Sequence, residues 1–369
     1  MKKILCALSL TLTLLIFIKA HSLSSNEEGT STATIVACGD NILYHGNHRD
    51  AAINANGGRS YDYRPIYRYV KPIIANADIA FLNQETPISE SAPIASYPRF
   101  NSPKVLAQDL AEVGFDVVSL ANNHALDCGM RGFTESMEAL KQAGISPIGI
   151  SEKANQAPLF HEKNGIKFAF LAYTYGTNIQ EMSEGNISPA CFHRDRAITE
   201  TASAKENADF VIVSLHFGSE NQSTPSNEQK EIATALAKSG ADLIIGHHPH
   251  VLQPIEWIEE AGNRRTLVAY SLGNFVHEQA YEQNALGGIL SVKVQKTRGR
   301  TTVSEATLIP TVCHFDADFS PNEVWLLRDY PDSLASTHAV RSYYGNPFSK
   351  EGLFGYLQKT VSSRFLQSR

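Results

Sequence analysis

The chain has 369 residues, 43% hydrophobic and 19% charged, a balance that excludes wholesale disorder and suits one large α/β unit with a small appendage. Its formal net charge of −6 supplies no basic footprint, so no nucleic-acid partner is expected. A polyanionic partner would have to be met by a local patch or by metal, because the global field does not attract it.

At the N-terminus, Lys2-Lys3 precedes a run of fifteen residues, 4–18, whose only polar breaks are Ser and Thr. That length suits the apolar part of a signal peptide and is short for a membrane span; Ala20-His21-Ser22 offers small residues at a cleavage spacing. Residues 1–22 are therefore expected to be a signal peptide or an uncleaved N-terminal anchor. The body is then extracytoplasmic: secreted, periplasmic or held at a membrane. Cys6 goes with this segment, leaving Cys38, Cys128, Cys191 and Cys313, whose spacing matches no zinc motif and assigns no disulfide. Cys38, inside an apolar run, reads as a small buried hydrophobe. Residues 22–31, rich in Ser, Glu, Gly and Thr, read as a flexible leader.

From residue 32 the pattern alternates strand and helix. Helices are expected over 103–113, 133–143 and 227–239, each closed by a glycine: Gly114, Gly144 and Gly240. Each glycine leads into a new apolar run, at 115–120, 145–150 and 241–245. That is the rhythm of βαβ units with a largely buried sheet. Residues 167–173 add a strand, preceded by the hairpin dipeptide Asn164-Gly165. Past Asn274 the rhythm changes, and 288–296 with 301–308 read as an antiparallel pair. Residues 32–310 are taken as one domain. Residues 311–369, with scattered aromatics and a helix near 356–365, are taken as a C-terminal extension, and no internal repeat is visible.

Six apolar runs end on a carboxylate, an amide or a histidine: at Asp40, Glu85, Asn122-Asn123-His124, His216, His248-Pro249-His250 and Asn274. Ligands of open α/β sheets bind just past the carboxyl ends of the strands, so the runs gather oxygen and imidazole groups at one sheet edge. Taken singly, each could be a capping carboxylate or a loop histidine; in register they read as a site. Pro249 pushes His248 toward extended geometry, so imidazoles at 248 and 250 can project together. Mixed nitrogen and oxygen ligation suits Zn²⁺, Mn²⁺ or Fe²⁺ better than Ca²⁺. Five of the six ends carry this chemistry.

The motifs Gly39-Asp40, Asn83-x-Glu85-Thr86-Pro87, Ala121-Asn122-Asn123-His124-Ala125-Leu126-Asp127 and Ser214-Leu215-His216-Phe217-Gly218 come first. Gly246-His247-His248-Pro249-His250-Val251-Leu252-Gln253 and Tyr270-Ser271-Leu272-Gly273-Asn274-Phe275 follow. Together, from about residue 33 to 310, they resemble the motif series of the CapA family, whose members are associated with synthesis of poly-γ-glutamate capsules. That family is in turn similar to the calcineurin-like metallophosphoesterases. The resemblance implies an α/β fold, a two-sheet sandwich flanked by helices, with one or two divalent metal ions (Mn, Zn or Fe). Carried over by position, it implies Asp40 and His250 for a first metal and Glu85 as the bridging carboxylate. Asn123, His216 and His248 fall to a second metal, and His124 is the catalytic group that assists the leaving group.

Two departures stand out. The superfamily opens with Asp-x-His, but Asp40 is followed by Asn41-Ile42, and Glu85 is a methylene longer than the usual Asp. A site short of one ligand holds a single ion or has lost hydrolysis. Three functions follow from the resemblance. The first is an extracytoplasmic protein of capsule biosynthesis or export, meeting an anionic polymer such as poly-γ-glutamate and other membrane components of capsule synthesis. The second is a metal-dependent hydrolase (phosphoesterase) of a cell-envelope substrate, with His124 as proton donor or charge stabiliser. The third is a non-catalytic binding module for an anionic polymer. A purely structural anchor would not need the ligands at the strand ends. The export expectation has a direct test: a reporter active only after export, fused to residues 1–30, should be active, and activity confined to the cytoplasm would remove it.

Overall fold

A computed structural model describes residues 29–366, apart from 154, 181–186, 261, 263, 280 and 346. The expected signal or anchor segment, 1–22, lies outside the described residues. Among these, no helix is long and apolar enough to cross a membrane. The elements run β1 (Ser31–Asn41), α1 (His45–Asn54), α2 (Lys71–Ala75), β2 (Ile79–Gln84), α3 (Val105–Val113), β3 (Val117–Ser119), α4 (Gly129–Gln142) and β4 (Ser146–Ile148). Next come β5 (Ile150–Glu152), β6 (Leu159–Lys163), β7 (Ile166–Thr174), β8 (Ile187–Pro189), α5 (Arg194–Asn207), β9 (Phe210–His216), α6 (Asn227–Ser239) and β10 (Leu243–His247). The chain ends with β11 (Ile255–Glu259), β12 (Arg265–Ala269), β13 (Asn274–Val276), β14 (Leu286–Thr297), β15 (Arg300–His314), β16 (Glu323–Leu326), α7 (Asp332–Thr337), α8 (Ala339–Tyr344) and α9 (Lys350–Thr360).

The strands form two large sheets, ordered β16-β15-β14-β1-β2-β3-β4, with β13 beside the end of β1, and β11-β12-β10-β9-β7-β6. In the first, β1 to β4 are parallel and β14 to β16 antiparallel; in the second, β7, β9, β10 and β12 are parallel. Successive residues of a strand face opposite sides, and here both sides are covered. Ile35 and Ala37 join Phe81, Phe168, Phe170, Leu243 and Ile245 in the core between the sheets. Val36 and Cys38 face Leu106, Leu110, Phe133 and Leu140 of α3 and α4. On the other sheet, Leu171 and Val213 pack under Ala197, Ala204, Ile232 and Leu236 of α5 and α6. Burial on both sides explains why these strands read as continuous apolar runs. The architecture is the two-sheet sandwich flanked by helices that the sequence implied.

Local features follow the residue pattern closely. Helices α3 and α6 stop at Gly114 and Gly240, and Asn164-Gly165 turns β6 into β7 with φ of 52° and 74°. Helix α4 starts at Gly129, four residues before the expected 133, because the 121–127 turn runs straight into it. Helix α5 left little trace in the sequence, since the residues it buries are the small Ala197, Thr201 and Ala204. Residue 311, where the C-terminal extension was expected to begin, lies inside β15, and β16 lengthens the same sheet. Leu353, Leu357, Val361 and Phe365 insert into the core between the sheets. The expected helix near 356–365 is α9 followed by a 3₁₀ turn at Ser363–Phe365. All four described cysteines are free thiols, and Cys38 is buried.

Two glycines bring the backbones together just ahead of the polar strand ends. A Cβ at Gly39 would lie 2.0 Å from the carbonyl oxygen of Gly273, and one at Gly246 would lie 1.9 Å from that of Tyr270. Their bare α-carbons let β1 and β10 sit directly on the 270–273 turn, with Asp40 N–H donating to the Gly273 carbonyl (3.0 Å). Gly246→Ala must therefore push β10 and the Tyr270 backbone apart. We expect a loss of about 1–3 kcal/mol or more in urea unfolding; an unchanged midpoint would mean that β10 can move aside freely.

Candidate metal centre

The polar groups named from the sequence converge at the carboxyl ends of β1, β2, β3, β9 and β10. Asp40 is the next-to-last residue of β1, Glu85 follows β2, Asn123 and His124 lie in the turn after β3, and His216 ends β9. Asp40, Glu85, His216 and His250 are almost wholly inaccessible to solvent. His216 Nε2 is 2.8 Å from Asn123 Oδ1 and 3.9 Å from Glu85 Oε1, and His250 Nε2 is 3.7 Å from the same Glu85 oxygen. His250 Nδ1 is 3.2 Å from Asp40 Oδ2, and the His248 ring centroid is 4.8 Å from that of His216. The sixth run end, Asn274, pairs its backbone with Asp40, but its side chain donates to Gln279 and to the Asn284 carbonyl.

The ligand atoms sort into two groups. One atom each of Asp40, Glu85 and His216 lie within 4.8 Å of one another, and so do one each of Glu220, His248 and His250. The pairs that the resemblance implied are neighbours too, His250 beside Asp40 and His248 beside His216. Glu85 stands between the groups, as a bridging carboxylate would.

The turn after β10 corrects one expectation. His248 was expected to be extended before Pro249, but its φ is +95°, and His250 has a φ of +58°. Left-handed backbone at a residue other than glycine costs on the order of 1–3 kcal/mol and survives only where the surroundings impose it. Here the chain folds back on Asp40, which receives the His248 N–H (3.2 Å) as well as the His247 and His250 rings. His247 was given no role in the sequence, yet its Nδ1 lies 3.1 Å from Asp40 Oδ1. Asn83, also unassigned, donates from Nδ2 to Asp40 (2.9 Å) and to Glu85 (3.3 Å). The Gly246-to-His250 stretch and the Asn83-x-Glu85 motif contained both residues; what was missing was the knowledge that each points at Asp40.

Charge is distributed unevenly in this buried space. Burial pushes the Asp40 carboxyl up, but hydrogen bonds with His247 and His250 outweigh it and hold the group well below the usual carboxylate range. Burial, then the Asp40 charge, raises Glu85 well above its ordinary value. Burial lowers His250, but the facing Glu85 and Asp40 more than reverse that and lift it to about 9. Burial and the neighbouring His250 hold His248 down at about 4, and burial with His248 keeps His216 low as well. Glu85 Oε1, His216 Nδ1, His247 Nε2 and His248 Nδ1 are buried without a hydrogen-bond partner. Such orphans are uncommon in folded proteins. Neutral imidazoles and carboxylate oxygens with unused lone pairs suit a divalent cation, so the residues present fit one.

His124 has a different setting. Its Nδ1 lies 2.7 Å from Asp127 Oδ2, which also accepts the Phe100 N–H at 2.8 Å. Asn122 pins the turn by donating to the Gln84 carbonyl, and Phe100 meets the His124 ring edge to face. The carboxylate orients the imidazole and leaves Nε2 for other work. Beside His216 opens a cavity of about 380 Å³, lined by Tyr173, Tyr175, Phe192 and Glu228 among others and, among the described residues, by no Lys or Arg. Tyr175 lies nearly parallel to His216, with centroids 6.3 Å apart.

Residues 34–279 match the family described as Bacterial capsule synthesis protein PGA_cap. The capsule biosynthesis protein CapA of Bacillus anthracis is 30% identical over 263 residues, covering 67% of this chain and 60% of that protein. The PGA biosynthesis protein CapA of Bacillus subtilis is 29% identical over 259 residues, covering 66% and 67%. The chain thus spans less than two thirds of the first relative's length. Among solved structures, the calcineurin-like phosphoesterase YfkN of Bacillus subtilis aligns with 89% of this chain and 100% of that one, at 13% identity and a TM-score of 0.44.

The pairing of Asp40 with its donors is open to measurement without any cation. Removing one partner of a buried charge pair costs about 3–5 kcal/mol. Asp40→Ala should lose that much in urea unfolding in the presence of chelator. An unchanged stability would mean that the His247–His250 turn holds itself.

Proposed function

Because the chain belongs to the bacterial capsule synthesis protein family, we propose that it acts outside the cytoplasm on an anionic envelope polymer of the poly-γ-glutamate type, by metal-dependent hydrolysis. The observation that carries this reading is the buried set Asp40, Glu85 and His216, with ligand atoms within 4.8 Å of one another. Two carboxylates and several imidazoles are costly to bury together unless a cation compensates them. Asp40, Glu85, Asn123, His216, His248 and His250 would hold one or two divalent ions. When bound, the cation supplies Lewis acidity toward a phosphoryl or carboxyl oxygen.

The remaining work falls to side chains. Among the described residues the cavity beside His216 is lined by no Lys or Arg, so a bound cation would supply the positive charge that an anionic substrate meets there. Tyr175 gives that substrate an aromatic wall. His124, its Nδ1 facing Asp127, would carry a proton on Nε2 to the leaving atom, the nitrogen of a γ-glutamyl amide or the oxygen of a phosphoester, while the Asp127 carboxylate balances the charge. An oriented imidazole of this kind favours catalysis over binding alone, for which it would have no use. Partners in the membrane machinery of capsule synthesis belong to the same reading and would meet the protein at the outer face.

The test compares parent and His124→Ala on the same preparations, by elemental analysis and by turnover of phosphodiesters and of poly-γ-glutamate. We expect equal metal content and a fall in turnover of about 10²–10⁴, the usual contribution of a positioned proton donor. Loss of metal together with turnover would make His124 a ligand. A parent without turnover whose polymer binding vanishes on chelation would replace hydrolysis by binding.

A further inference from the structure

Glu220 occupies no position that the family resemblance assigns, yet its carboxylate reaches the cluster. One of its oxygens and one ring nitrogen each of His248 and His250 lie within 4.8 Å of one another. The loop that carries it is tied to the histidine turn from two directions. Asn221 (φ +60°) donates its N–H to the Pro249 carbonyl at 2.8 Å. Its Oδ1 accepts from Asn284 Nδ2 at 2.9 Å, and the same Asn284 amide donates to the His250 carbonyl at 3.3 Å. This brace holds Glu220 beside the two imidazoles whatever its own side chain does. His248 Nδ1, nearby, is buried without a partner.

We propose that Glu220, His248 and His250 form an outer position for a divalent cation, distinct from the inner one made by Asp40, Glu85 and His216. The inference rests on the metal-site reading above and adds a residue and a second ion to it. Two imidazoles and one carboxylate leave several coordination positions open, in the manner of sites that bind Zn²⁺, Mn²⁺ or Fe²⁺ and receive a further oxygen ligand. The inner carboxylates are fully buried, whereas Glu220 is exposed. The outer cation is therefore the one that exchanges with solvent and meets a carboxylate or phosphate arriving from outside.

The experiment is a Mn²⁺ titration of the full, metal-stripped chain, read by calorimetry and by electron paramagnetic resonance of free Mn²⁺. The parent should take up two ions per chain. Glu220→Gln should keep the tighter one and weaken the other on the order of 10- to 100-fold, and Glu220→Asp should fall between. Equal melting temperatures of the stripped proteins would establish that the variants are folded. Two ions bound with unchanged affinities in Glu220→Gln would overturn the outer position and leave the inner site standing. A parent that binds one ion, unaffected by the substitution, would overturn it likewise. A parent that binds none would overturn both readings together.

Discussion

The carboxylate of Asp40 is the fixed point on which the site depends. It lies fully buried at the end of the central strand β1 and receives Asn83 from its own sheet. From the other sheet it receives the His247 ring, the His248 N–H and the His250 ring. The core between the sheets is apolar, and apolar contacts fix distance but not direction. Hydrogen bonds to one charged group are directional, and they set where the β10 turn lies over β1. The unusual backbone at His248 and His250 is held from the same point. A rigid scaffold thereby presents imidazoles on a turn with the precision of a strand.

Most of the fold was legible from the spacing of apolar residues and glycines. The strand ends at Asp40, Glu85, His216 and His248 were readable because a polar residue after a buried run has few structural reasons to be there. Helices α1 and α5 were not readable, since one buries mainly polar residues, Asn47, His48 and Asp50 among them, and the other only Ala and Thr. The direction of the His248 turn was out of reach for another reason. Pro249 argues locally for extended geometry, and only the distant Asp40 overrides it. Glu220 escaped notice because an exposed acid in a loop has no pattern of its own; its meaning comes from Asn221 and Asn284, which are separated from each other along the chain but adjacent in space.

The chemistry near the site is lopsided. Acidic groups gather there, at Asp40, Glu85, Asp127, Glu220 and Glu228, and among the described residues no Lys or Arg lines the cavity beside His216. A site intended to hold anions by side chains would look different, with guanidinium groups forked around the ligand. In the proposed function, occupancy of the metal positions would add the positive charge that attracts an anion. Affinity for cation and for anion are then two sides of one linkage.

The position of β1 also governs the order in which the protein can take shape. Its residues Ser31 to Ala37 pair with Lys296 to Leu290 of β14, and Leu308 of β15 bridges to Leu366 beyond α9. Strand β1, synthesised before the other described strands, therefore has its long antiparallel neighbour among the last to appear. Until then only its opposite edge is paired, by β2. Loop closure over most of the described chain slows such pairing, so completion of the first sheet is a late event, and an interval of unpaired edge is built into the topology.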